Sequence, residues 1–127
     1  MYNLFLDDIR YPNMVKGDIY KKDIWTIVRN YDEFIKIIEK NGMPNIISFD
    51  HDLADEHYAI TSNKKTFFKE KTGYEAVKWL CDYSLDNNLK LPIMLFHSAN
   101  YVGKKNMEMY YHNFIKHYPH LLNNSLK

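Results

Sequence analysis

Cysteine is almost missing from this chain. Cys81 is the sole one in 127 residues, which excludes an internal disulfide and any Cys-based zinc cluster. A reducing cytoplasm is the expected home. Arginine is nearly as scarce, at positions 10 and 29 alone, so the bidentate Arg contacts used in base reading are in short supply. Charge of one sign is lacking too. Seventeen basic residues face sixteen acidic ones, and a net charge of +1 does not suit a general nucleic-acid binder. No apolar stretch approaches the ~20 residues of a membrane helix, and the longest clean run, Ile93–Phe96, is strand-sized. The start, Met1-Tyr2-Asn3-Leu4, has neither the basic region nor the apolar run of a signal peptide. There is no repeat and no low-complexity tract.

What is present fits one globular domain. A chain of this size buries roughly two thirds of its unfolded surface, and the 16% aromatic content supplies a core rather than a disordered tail. Short apolar runs alternate with helical patterns. Leu4-Phe5-Leu6, Trp25-Thr26-Ile27-Val28, Ile46-Ile47-Ser48-Phe49 and Ile93-Met94-Leu95-Phe96 read as four strands. None shows clean polar alternation, as in parallel strands buried on both faces. Asn30 with Glu33, and Thr72 with Glu75, are capping boxes that open two helices. A last helix carries Met107, Tyr110, Tyr111, Phe114, Ile115 and Tyr118 on one face. Residues 9–24 hold Pro12 and Gly17 and read as a loop with a short helix. The expected fold is α/β, a small flavodoxin- or receiver-like three-layer domain over residues 1–127. It has about four parallel strands in order 2-1-3-4, helices on both faces and no fifth strand.

Ligands of open α/β sheets bind at the carboxyl ends of strands, where the strand order reverses. Asp7-Asp8 ends strand one, Asp50-His51-Asp52 ends strand three, and His97-Ser98-Ala99-Asn100 ends strand four. Asp also starts turns and caps helices, but two clusters on one rim point further. Crowded carboxylates repel unless a proton or cation intervenes, and Mg²⁺ or Mn²⁺ with oxygen ligands answers that. His51 and His97 are candidates for acid/base work or phosphate contact. His57, His112, His117 and His120 read as structural. Arg10 can clamp a phosphate, and Lys71-Thr72-Gly73 opens a helix whose N-terminus can hold an anion or simply cap. The pairs Lys21-Lys22, Lys64-Lys65 and Lys104-Lys105 read as solvated faces. Residues 53–71 form a long polar segment, expected to be a lid, with Phe67 and Phe68 able to cover a ring.

These residues carry a resemblance. Leu6-Asp7-Asp8 with Arg10 and Pro12, Ser48 to Leu53, Lys71-Thr72-Gly73-Tyr74, and His97-Ser98-Ala99-Asn100 with Gly103 and Asn106 together resemble the cyclic-phosphate processing receiver-domain family. The resemblance spans residues 2–115. It implies a receiver-like α/β fold and an acidic pocket in which Asp7, Asp8 and Asp50 hold the metal. It also implies a cyclic phosphate ligand, such as ADP-ribose cyclic phosphate. The chain departs from true receivers in lacking a fifth strand with its lysine, and in having the Asp-His-Asp and His-Ser-Ala-Asn runs.

The leading expectation is a metal-dependent phosphoesterase acting on a small cyclic phosphate. Asp50, His97 and Asp52 would serve catalysis. Arg10, His51, Lys71, Thr72, Ser98 and Asn100 would bind the nucleotide-like ligand. The alternatives are a receiver-like signalling module phosphorylated on Asp50, and a module that binds a phosphorylated nucleotide without turnover.

Overall fold

The computed structural model describes residues 2–53 and 71–123. Strands β1 (Asn3–Leu6), β2 (Thr26–Val28), β3 (Ile46–Phe49) and β4 (Ile93–Phe96) form one all-parallel sheet in the order β2-β1-β3-β4. Helices α1 (Asp18–Lys22), α2 (Tyr31–Asn41), α3 (Gly73–Asn87) and α4 (Tyr101–His117) accompany it, with 3₁₀ turns at Pro12–Met14 and Pro119–Leu121. This is the receiver-like α/β arrangement expected from the sequence. No helix among the described residues is long and apolar enough to cross a membrane. The polar segment expected to form a lid, with Phe67, Phe68 and His57, lies outside the described residues except at its two ends.

Local signals act where they were read. The Asn30 side chain accepts from the Glu33 amide at 2.8 Å and caps α2. Gly42 closes that helix with φ of +89°, a conformation costly for any residue with a β-carbon. Trp25 is not part of β2. Its indole stacks on Tyr20, with centroids 5.5 Å apart, and donates to the Ile19 carbonyl at 3.2 Å. The burial is also less uniform than expected. β4 is half-buried along its whole length, because it is an edge strand with a neighbour on one side only.

Side chains of a strand alternate between faces. Leu4 and Leu6 of β1, with Ile47 and Phe49 of β3, face α2, α3 and α4, where Phe34, Ile38, Val77, Leu80 and Met107 complete the main core. Phe5 and Ser48 face the other way. There the cover is thin: short α1 supplies Tyr20, which meets Phe5 edge-on at 6.1 Å and bonds to the Ser48 hydroxyl at 2.7 Å. Three helices therefore insulate one face, and one five-residue helix with its flanking loop insulates the opposite one.

Candidate functional site

Parallel pairing continues one residue past each strand. Asp7 donates its amide to the Val28 carbonyl at 3.1 Å, Asp50 to Leu6 at 2.9 Å and His97 to Phe49 at 3.0 Å. The ladder thus sets Asp7, Asp50 and His97 in a row on the carboxyl rim, at the reversal between β1 and β3. That is the place the sequence indicated.

Asp7 is the most constrained. Its Oδ1 accepts from the amides of Ile9 at 3.0 Å and Arg10 at 2.8 Å, an Asx-type turn that folds the chain back over the rim. Its Oδ2 accepts from Arg10 Nε at 2.9 Å and lies 3.0 Å from His97 Nε2. Burial alone pushes its carboxyl up. The bonds from His97 and from the Arg10 and Ile9 amides, with the guanidinium charge, outweigh that and hold it well below the usual carboxylate range. Asp50 shows the reverse balance. Burial and the neighbouring Asp7 charge push it up, and His97, a bond from Ser98 and Arg10 only partly compensate.

Asp7, Asp8 and Asp50 each offer a carboxylate oxygen, and these oxygens lie within 4.8 Å of one another. Hard divalent cations take oxygen donors at this density, so the three residues fit Mg²⁺ or Mn²⁺. Arg10 stands beside them as an internal cation: Nε is paired to Asp7, and Nη2 lies 3.6 Å from Asp50 Oδ1. A cavity of about 390 Å³ opens over this group, lined also by Arg10, Asp52, Ser98 and Asn100.

The other expected residues divide between this cavity and its surroundings. Asn100 both caps α4, accepting from Gly103 at 2.9 Å, and donates to both Asp52 oxygens at 3.2 Å. Asp52, its side chain 62% exposed, also pairs with His51 Nδ1 at 2.8 Å. His51 itself faces a neighbouring groove together with Thr72. Thr72 performs a helix cap, accepting from Tyr74 and donating to Glu75. Lys71 sits over the Tyr31 ring at 5.5 Å. Neither lines the acidic cavity, because the first turn of α3 is turned toward α2 and the groove.

His97 differs from the expectation of an acid that reaches the ligand. Its side chain is 1% exposed. The ring stacks on Phe5 with centroids 4.4 Å apart, Nδ1 lies 2.6 Å from the Ser48 hydroxyl, and Nε2 is on Asp7. A line of contacts therefore runs Tyr20, Ser48, His97, Asp7. The strand parity that puts Ser48 and Leu95 on the thin face also turns His97 inward, so it braces Asp7 from below.

Four residues have roles that the sequence did not assign. Ser48 and Tyr20 were hidden as ordinary strand and helix residues. Arg29 donates to the carbonyls of Asp7 and Arg10 at 3.1 and 2.8 Å and stacks over Tyr11, bracing the rim loop. Gly73 donates to the His51 carbonyl at 2.7 Å, and a β-carbon there would collide with the Asp50 carbonyl. A lone Gly inside a helical pattern was the available signal for close packing.

A four-stranded parallel sheet with three acids at its switch point defines the class: a receiver-like domain with an acidic pocket. Residues 2–113 match the family model of the cyclic-phosphate processing receiver domain, and the chain belongs to that family. No curated protein and no solved structure gives a significant match.

Proposed function

We propose that this domain is a metal-dependent phosphoesterase that hydrolyses a small cyclic phosphate, such as ADP-ribose cyclic phosphate or a related nucleotide. The supporting observation is the meeting of Asp7, Asp8 and Asp50 beside one guanidinium at the sheet's switch point. Asp7, Asp8 and Asp50 would hold Mg²⁺ or Mn²⁺, and the ion would supply charge neutralisation and a more acidic bound water. Arg10 offers donors suited to phosphoryl oxygens. Ser98 and Asn100 also line the cavity. Asp52, exposed on the rim and steadied by Asn100 and His51, takes the proton of an attacking water. The water oxygen bonds to phosphorus, one ring P–O bond breaks, and the released hydroxyl oxygen takes the proton that Asp52 accepted from the water. His97 holds Asp7 in place. The single cysteine, Cys81, suits an enzyme of the reducing cytoplasm.

A screen of cyclic nucleotide phosphates with Mg²⁺, with Mn²⁺ and with chelator tests this reading. Metal-dependent ring opening that is lost in Asp50→Asn is the expected result. Labelling of Asp50 by acetyl phosphate without any turnover would instead indicate a signalling module. Tight binding with neither turnover nor labelling would indicate a sequestering one.

A further inference from the structure

Behind Arg10, on the side of the thin face, lies a second cavity of about 370 Å³. It is lined by Arg10, Lys16 and Lys104 together with Tyr20, Phe96 and His97, and no carboxylate lines it among the described residues. Lys104 and Lys105 read alike in the sequence, but the fold separates them. Lys105 is exposed and sits over the Tyr101 ring at 5.8 Å, whereas Lys104 is half-buried in this wall. Among the described residues, neither Lys16 nor Lys104 is in an ion pair.

Arg10 is paired to Asp7 and Asp50, but Lys16 and Lys104 bring two further cations to the same small cavity, and like charges gathered there repel. An anion resolves the repulsion, and a phosphate, with several acceptor oxygens, can meet an arginine and two lysines together. Arg10 is the partition: it belongs to the walls of both cavities. Groups bound on its two sides are therefore close enough to belong to one small molecule.

We infer that this basic cavity is a second anion subsite, which takes a further phosphate carried by the same ligand whose reacting phosphate enters the acidic cavity. The inference rests on reading the acidic cavity as a phosphate site. It makes the preferred ligand one with two separated phosphates, such as a nucleoside bisphosphate, rather than a simple monophosphate.

Calorimetric binding of two product-like probes to the full chain with Mg²⁺ tests it: adenosine 3′-monophosphate and adenosine 3′,5′-bisphosphate. The bisphosphate should bind at least about tenfold tighter, the scale of one added charge-assisted contact. Lys104→Ala should remove most of that advantage and leave the monophosphate affinity unchanged, and Lys16→Ala should remove part of it. The advantage should also shrink more steeply with salt than the monophosphate affinity does. Equal affinities in the wild type, no binding of either probe, or an advantage that survives both substitutions together would overturn the inference. Turnover of cyclic phosphates is measured separately. Ring opening without a bisphosphate preference defeats the second subsite alone. A Lys104-dependent preference without ring opening defeats the esterase reading alone.

Discussion

Gly73 lies directly against the Asp50 carbonyl, so close that any β-carbon at this position would collide with it. The first turn of α3 is thereby laid on the end of β3, and the Gly73 amide closes the contact on the His51 carbonyl. Gly103, in the first turn of α4, lies in the same way against the His51 ring. Two helix starts press on one dipeptide of the rim.

That contact reverses an ordinary helix substitution. Alanine in a helix normally gains up to ~1 kcal/mol over glycine. Gly73→Ala should instead destabilise by about 1–3 kcal/mol, the cost of overpacking against backbone. Urea denaturation gives the sign. A stabilised variant would show that α3 can lift off Asp50 freely.

Arg10 stands beside the three carboxylates that fit a divalent ion. Arg10→Gln removes that internal cation. The variant should be less stable than wild type in chelator, and its melting temperature should rise more than that of wild type when Mg²⁺ is added. Thermal melts over a Mg²⁺ series check both parts. An unchanged metal response would mean that the guanidinium and the ion do not compete.

Asp7 and Asp50 are neighbours with opposite linkage. The native carboxyl of Asp7 is lowered, so its contribution to stability is present above the ordinary carboxylate pKa of ~3.9 and is lost as pH falls through the native value. The native carboxyl of Asp50 is raised, so its contribution is full below ~3.9 and is lost as pH rises through the native value. At neutral pH in chelator, Asp7→Asn should destabilise by about 3 kcal/mol, because it breaks a buried pair. Asp50→Asn should be as stable as wild type or more so, with a much smaller melting response to Mg²⁺. A destabilised Asp50→Asn that keeps its full metal response would show Asp50 to be a structural acceptor.

His97 and His117 separate a brace from a bystander. His97→Ala takes one buried partner from Asp7 and one from Ser48 and opens space beside Phe5. It should cost about 2–4 kcal/mol and weaken Mg²⁺ binding. His117, exposed and bonded to the Asn113 carbonyl of its own helix, should tolerate alanine to within about 0.5 kcal/mol. Urea melts and Mg²⁺ titrations of the two variants give the comparison.

The rim acids were legible because their position depends on strand ends and strand order, and both follow from apolar runs and capping boxes. The inward turn of His97 was not. It depends on which face of β4 receives residue 97, and the run Ile93-Met94-Leu95-Phe96 is apolar at every position, so periodicity is silent about facing. The roles of Ser48 and Tyr20 were hidden for the same reason: a hydroxyl in a strand gains a function only through a partner far along the chain. Lys71 and Thr72 were placed by a helix-start motif that marks where α3 begins but not which way its first turn faces. Lys104 and Lys105 show the same limit on a helix, since adjacent residues point about 100° apart and only packing decides which one meets a cavity.

The unequal insulation of the two sheet faces divides the molecule's two indoles. Trp79 lies on α3 against Phe34, in the thick layer, while Trp25 stacks with Tyr20 in the thin one. The thin layer also supports Arg10 and His97, so it can open and disarm the rim while the three-helix side stays folded. Fluorescence from Trp25 alone, in a Trp79→Phe background, would then change at lower denaturant than fluorescence from Trp79 alone. The gap between the two curves would measure how much of the domain's stability belongs to the site rather than to the fold.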